Sequence, residues 1–568
     1  MQKYFMPVGK SDFEKIRKDG DYYIDKSDLI SQILKESVEV TLFTRPRRFG
    51  KSLNMSMLES FFDIRKDSKM IFEGLTISKN KVLCKEWMNQ YPTIFISFKD
   101  VGGINFESAV AQLKTAISNL YKDHVYVLKN ESSDKDDLEK FGRLKSEISL
   151  NTELTDALVL LSKLMYEYYK KPVVILIDEY DVPMAKGDAN GYYREITDII
   201  RYMLSKALKD NRYLKFAVMT GCLRIAKESI FTGLNNLKIN SMMDTEYDEC
   251  FGFTDEEINK LLADTELTDY KGKIKEWYDG YRFGDSEVYC PWDVLNYISD
   301  LQKKPGKAPK NYWANTSGND IIKKYLDTGM NPIADFETLL RGECIKKNIY
   351  EDITYENLVN NEESFWSVLY MTGYLTTEPK EFVNTLEVDD STIDDDRIRL
   401  KLVNNEVRDL FARTIAAWFR ETIVKDNRTE LCEALWKGDE ATLSEIISRY
   451  LRKTISYYDY SENFYHAFLA GLLSGMKGFD VESNREVGEG RADLLIKNMD
   501  DSQAAVMEIK VVKKLSDVEK MCDEALKQIV DRGYIQTLIE EEGLNVLKYG
   551  VVFFKKRCFV VKQPTSSE

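Results

Sequence analysis

Histidine is nearly missing: His124 and His466 are the only two in 568 residues. A Ser-His-Asp relay needs a histidine beside its nucleophile, and histidine-rich metal centres need several, so both chemistries are almost excluded. Cysteine is scattered. The eight, from Cys84 to Cys558, form no CxxC pair. They read as reduced thiols in packing positions and give a cytoplasmic expectation. Long apolar runs are lacking too. The longest aliphatic run, 173–177, falls far short of the roughly 20 residues of a membrane span. The opening MQKYFMPVGKSDFEK has no apolar signal core, so no membrane is expected as a partner. Positive charge is not in excess: 80 Lys and Arg against 95 Asp and Glu leave −15. Such a chain does not coat nucleic acid by bulk charge, and any contact with it needs a local basic groove. No internal repeat is present.

What is there is ordinary globular material, 43% hydrophobic and 31% charged. At roughly 100–200 residues per domain the length suggests about three domains. The 33 tyrosines and 27 phenylalanines are spread along the chain and read as packing. Three stretches look like linkers or excursions: 130–140, 302–310 with its two prolines, and the acidic 389–396. Up to about residue 300, apolar runs alternate with helical patterns. The runs are VEVTLFT (38–44), TIFISF (93–98), PVVILI (172–177) and LKFAVMT (214–220). Uninterrupted apolar strands suit a parallel sheet covered on both faces, so an α/β fold is expected over 1–300. Residues 301–450 read as a mainly helical connector. Residues 451–568 change again, to a smaller α/β domain with two adjacent strands, a helix and terminal strands.

The sharpest local feature is RPRRFGKSL (45–53), between a strand and an amphipathic helix. That setting is what a phosphate-binding loop needs, because loop amides and a helix N-terminus present positive charge to phosphates. Arg48, Phe49, Gly50, Lys51, Ser52 and Leu53 are the expected nucleotide-binding residues. Lys51 would reach the β- and γ-phosphates, and the Ser52 hydroxyl would ligate Mg²⁺. One departure stands out: the pattern GxxxxGK[ST] asks for glycine where Arg45 stands. A second GKS, residues 9–11, has no full strand before it and reads as incidental. VVILIDEYD (173–181) ends a buried strand in two acids. Asp178 suits an Mg²⁺-holding role and Glu179 the polarising of an attacking water. The bland alternatives are a basic loop and an acid-rich turn. Thr220, ending a neighbouring strand, would approach the γ-phosphate. Arg224 would stabilise phosphate charge or sit on the surface.

A second constellation lies near the C-terminus. GRADLLI (490–496) holds Asp493, and AVMEIKV (505–511) holds Glu508 and Lys510 two apart, on one face of a strand. The short connection predicts an antiparallel pair. Two carboxylates and a lysine there suit phosphodiester cleavage with Mg²⁺, Mn²⁺ being the other candidate: the acids hold the metal and Lys510 orients the water. Glu462, opening the helix 462–473, would add a third acid. Gln528 and Tyr534 would flank the site. His466 reads as a packed histidine, and a solvated acidic hairpin is the alternative to the whole.

The marks PVGKSDFEKIR (7–17), YYIDKSDLI (22–30), RPRRFGKSL, LIDEYD (176–181), FTGLNNL (231–237), WYDGYRFG (277–284), PWDVLNYI (291–298) and FWSVLYMTGYLT (365–376), with GRADLLI and MEIKV, run nearly the whole length. In them the chain resembles the AAA-ATPase-like family that carries a C-terminal PD-(D/E)XK nuclease-superfamily domain. Family members share arginine at the position of Arg45. The resemblance implies a P-loop NTPase fold with a parallel sheet, a helical middle and a restriction-endonuclease-like α/β domain. It also implies ATP as ligand, and a nuclease-like match complete at Asp493, Glu508, Lys510, Gln528 and Tyr534. The expected function is an ATPase coupled to a metal-dependent nuclease acting on DNA or RNA. An ATP-driven switch that binds without cleaving is the other reading. Oligomeric state is not legible.

Overall fold

The computed structural model describes residues 4–564 except 131–132, 225–235, 314–321, 323–324, 326–332, 352–360, 379–396, 426–428, 454–461, 474–478, 488–489, 499–501, 532–538 and 540–542. Two compact units emerge: residues 1–318 with 344–410, and residues 319–343 with 411–568.

In the first unit the four apolar runs become β1 (Val40–Thr44), β2 (Thr93–Ser97), β3 (Val173–Asp178) and β4 (Leu214–Gly221). With β5 (Leu237–Asn240) they form one sheet in the order β2-β3-β4-β1-β5, every neighbouring pair parallel. Every position of β1 and β3 is buried, which is why their sequences do not alternate with polar residues. Helices Phe106–Asp123, Ala157–Tyr169 and Tyr193–Leu208 pack their apolar faces into the core with Ile94, Ile175 and Ile177. Because β4 lies between β1 and β3, the C-terminal ends of all three stand side by side. In an open parallel sheet that is where ligands bind.

The first unit also holds the hairpin β6 (Tyr281–Phe283) and β7 (Ser286–Val288). Between residues 301 and 450 the described residues are mostly helical, as expected, with one small sheet added to them. β8 (Ile345–Lys347), β9 (Leu375–Thr377) and β10 (Ile398–Leu402) form an antiparallel sheet in the order β8-β10-β9. Two of these strands have three residues and one has five, so none carries enough alternation to register in sequence.

The second unit is built on β11 (Phe479–Val487), β12 (Gly490–Asn498), β13 (Gln503–Val511), β14 (Asn545–Phe554) and β15 (Arg557–Lys562). They lie in chain order and are antiparallel except for β13 and β14. A parallel step needs a crossover, and the helix Val518–Asp531 supplies it. The edge strand β15 is closed by side chains of the helix Glu440–Lys453. Ser448 Oγ accepts the Cys558 N–H at 2.8 Å, Ser444 Oγ that of Val560 at 2.9 Å, and Glu440 Oε1 that of Lys562 at 2.6 Å.

Candidate functional site

The strand-loop-helix of residues 40–62 forms as its sequence suggests, with Gly50 as the turning point. Gly50 sits at φ 83° and caps the helix Lys51–Phe62. A left-handed backbone there favours glycine. Arg48 takes φ 71° without being glycine, a local strain of order 1 kcal/mol. The Lys51 ammonium is buried inside the loop and donates to the carbonyls of Arg45 at 2.9 Å and Pro46 at 2.8 Å. It also lies 3.6 Å from Cys222 Sγ.

Arg45 explains its own departure from glycine. Its side chain is fully buried and turns away from the loop. Nη1 donates to the carbonyls of Thr44, Asn240 and Ser241, at 3.0, 2.9 and 2.6 Å. The guanidinium faces the rings of Phe251 and Phe283, each at 5.2 Å. Burial lowers its pKa to about 10. The residue thus anchors β1 to the end of β5. Phe49 is likewise a core residue, its ring 4.7 Å from Tyr281 and 5.0 Å from Phe283, which leaves its backbone for any ligand.

Asp178 is the hub. Ser52 donates its hydroxyl to Asp178 Oδ2 at 2.7 Å, and Thr220 donates to Oδ1 at 2.6 Å. Ser97 reaches Oδ2 at 3.3 Å. The Thr220 hydroxyl also accepts the Glu179 N–H at 3.4 Å. Glu179 stands at φ 54°, and burial, then the neighbouring Asp178, raises its carboxyl above the ordinary range. Asp181, which sequence reasoning passed over, is buried and accepts the N–H groups of Cys222 at 2.8 Å and Leu223 at 3.1 Å. It thereby fixes the chain leaving β4.

A cavity of about 230 Å³ opens over this loop. Arg48, Gly50, Lys51, Ser52, Leu53 and Glu179 line it; Phe49, Asp178 and Thr220 stand outside its lining. Arg224 is not in the lining either: its Nη1 lies 3.8 Å from Glu351 Oε2. The opposite wall comes from residues that sequence reasoning gave no role. Pro7, Val8 and Gly9 line it from one side, and Pro291, Trp292 and Leu295 from another. The Arg48 guanidinium lies over the Trp292 ring at 3.9 Å. The early GKS therefore borders the same cavity, but Lys10 is paired with Asp19, at 2.8 Å, and Asp21. The signal for this wall was present in PVGKSDFEKIR and PWDVLNYI; its role was not.

In the second unit the ladder Leu494↔Met507, carried one step on, sets Asp493 opposite Glu508. Asp493 Oδ2 accepts the Ile509 N–H at 2.8 Å, and Lys510 Nζ lies 3.1 Å from Glu508 Oε1. Glu508 is almost wholly buried, and His466 Nε2 donates to the Asp493 carbonyl at 2.7 Å. Gln528 lies on the crossover helix. Tyr534 and the Glu462 side chain lie outside the described residues. Among the described residues no group of three or more His, Cys, Asp or Glu stands ready for a metal. Two carboxylates with a lysine beside them are a hard-oxygen donor set, which fits a cation such as Mg²⁺ that keeps several waters.

Residues 7–231 match the model of the AAA-ATPase-like family, described as a predicted AAA-ATPase, and residues 460–563 match the PD-(D/E)XK nuclease superfamily. The chain thus carries an AAA-ATPase-like match over residues 7–231 and a PD-(D/E)XK match over residues 460–563. The AAA-ATPase-like part contains the loop, Asp178 and Thr220; the PD-(D/E)XK part contains Asp493, Glu508 and Lys510. A relative from Azotobacter chroococcum mcd 1, an uncharacterized protein in the vnfD 5' region, is 24% identical over 551 residues. The match spans 94% of this chain and 93% of that one. Among solved structures, the Aeropyrum pernix ORC2 protein in ADPNP–ADP complexes is 9% identical with a TM-score of 0.25, covering 73% of this chain and 97% of that chain. At that score the fold assignment rests on sheet order and not on superposition. No helix among the described residues is long and apolar enough to cross a membrane.

Proposed function

We propose that the AAA-ATPase-like domain binds ATP with Mg²⁺ and hydrolyses it, and that the PD-(D/E)XK domain cleaves DNA or RNA with Mg²⁺ or Mn²⁺. The observation that carries the first part is that Lys51, Ser52 and Glu179 line one cavity while Asp178, at the end of β3, accepts the Ser52 hydroxyl at 2.7 Å just outside the lining. Loop amides and the N-terminus of the helix Lys51–Phe62 would receive the phosphates. Lys51, held by two carbonyls, would exchange them for phosphate oxygens. Ser52 and Asp178, 2.7 Å apart, are hard-oxygen donors that would hold the cation. Mg²⁺, when bound, would neutralise charge on the transferring phosphate. Thr220 keeps Asp178 oriented. Glu179, its carboxyl raised by burial, would take a proton from the attacking water. Trp292, Leu295, Pro7 and Val8 form an apolar wall suited to a nucleobase.

In the second unit, Asp493 and Glu508 would hold the cation and Lys510 would orient the water. A second reading, a switch that binds nucleic acid without cutting it, is favoured by the Lys510 ammonium pairing with Glu508 at 3.1 Å, which neutralises a carboxylate that a metal would need. Calorimetry with ATP tests the first part: Lys51→Ala should abolish binding, and undiminished affinity would end the assignment. Cleavage assays on single-stranded, double-stranded and RNA substrates, with each metal and with or without ATP, decide between the two readings of the second.

A further inference from the structure

The wall of the nucleotide cavity is tied to two buried acids that the nucleotide chemistry does not use. Asp293 follows Trp292 on the helix Pro291–Lys303, and Glu406 opens the helix Asn405–Lys425; both are fully buried. Glu406 Oε1 accepts the backbone N–H of Tyr312 at 2.5 Å and of Trp313 at 2.9 Å. The Tyr312 carbonyl accepts the Trp292 indole N–H at 3.3 Å. Trp292 stacks on Arg48, and the Arg48 carbonyl accepts the Cys290 thiol at 3.9 Å. Cys290 adjoins Asp293, and Asp293 faces Glu406. The contacts close into a ring.

Within that ring Asp293 Oδ1 and Oδ2 and Glu406 Oε2 are buried with no N–H or O–H donor. Two ionised carboxylates facing each other in an apolar interior repel, and a proton between them satisfies both. We propose that Asp293 and Glu406 share one proton, and that this bridge positions Trp292 and Arg48 as the wall of the nucleotide cavity. The surroundings support it. Arg48 is the cation that acts on Asp293 among the described residues, and Cys290, Tyr278, Tyr281 and Tyr312 are held neutral by burial. Burial raises both carboxyls, and Asp293 raises Glu406 further. The bridge is therefore intact at neutral pH and is lost toward alkaline pH. Its loss leaves like charges in the core, unseats residues 312–313 and moves Trp292 off the cavity. Neither acid touches the nucleotide; they are positioning residues, and their effect on affinity rests on the nucleotide site proposed above.

The test is calorimetry of the full chain with ATP, from neutral to alkaline buffer, on the natural protein, Glu406→Gln and Asp293→Asn. The natural protein should weaken as pH rises, by at most about tenfold per pH unit, the limit for one linked proton. Glu406→Gln keeps an acceptor for Tyr312 and Trp313 and gives Asp293 a permanent donor. Its affinity should equal the neutral value and stay flat. A flat natural protein, or a Glu406→Gln protein that weakens in parallel, overturns the bridge. Infrared spectroscopy needs no nucleotide: a protonated carboxyl band should stand at neutral pH, fade as the buffer becomes alkaline, and be missing from both variants. No such band, or a band unchanged in both, overturns the bridge whatever the ligand. Lys51→Ala reports separately on the nucleotide site.

Discussion

Glu179 is set apart by its backbone and by its surroundings. Its left-handed backbone aims the carboxyl into the cavity while Asp178, one residue earlier, points to Ser52 and Thr220. Burial and the Asp178 charge move its proton affinity toward neutrality, where a general base works best. Glu179→Gln should bind ATP as the natural protein does and lose hydrolysis by about 10²–10⁴-fold, the scale of general-base removal. Single-turnover measurement of phosphate release checks this, and an unchanged rate would mean that another group positions the water. His124 carries a different consequence. It is buried, its Nδ1 2.8 Å from the Tyr126 hydroxyl, and burial, then Arg65, lowers its pKa from 6.5 to about 3. The unfolded chain binds this proton at a higher pH than the folded one does. Its contribution is therefore present above pH 6.5 and is lost as pH falls toward 3. His124→Gln should flatten that part of the stability curve measured by denaturant titration across mildly acidic pH.

The element that best shows sequence and structure working together is the helix Glu440–Lys453. Glu440, Ser444 and Ser448 are four residues apart, about 6 Å along a helix at 1.5 Å per residue. Cys558, Val560 and Lys562 are two residues apart, about 6.6 Å along a strand. The two spacings nearly match, so one helix ridge serves three successive edge amides of β15. An open edge invites pairing with another chain. Ser444→Ala with Ser448→Ala should cost about 1–3 kcal/mol for each unsatisfied amide and lower the melting temperature. Light scattering on warming should then show earlier association. A double variant with an unchanged transition would show that water serves those amides equally well.

For the whole molecule, the two candidate chemistries use different residues in different units. Glu508→Ala should remove a metal ligand and stop nucleic-acid cleavage while ATP hydrolysis continues at the natural rate. Lys510→Ala should keep metal binding but lose rate. Hard oxygen ligands predict activity with Mg²⁺ or Mn²⁺ over softer metals. Equal cleavage by natural protein and Glu508→Ala places the activity elsewhere. No cleavage under any metal replaces the nuclease reading with the binding one.

Sequence alone determined the strands β1 to β4 and their parallel arrangement, because buried strands have a local signature of unbroken Val, Ile and Leu. It also marked Lys51, Ser52, Asp178 and Glu179, because loop and acidic strand ends are compact motifs. The pairing of Asp493 with Glu508 was legible from the short β12–β13 connection. What only the tertiary structure decided lies between distant segments. β5 and the sheet of β8, β9 and β10 are too short to signal themselves. Arg45 was a departure from a pattern until β5 and the rings of Phe251 and Phe283 were seen around it. The cavity wall joins residues 7–9 to residues 291–295, and the acid pair joins 293 to 406, across separations that no local pattern encodes. Periodicity reports which face of an element is buried. Which distant element covers that face is set by packing, and the cavity over residues 48–53 is a product of that packing.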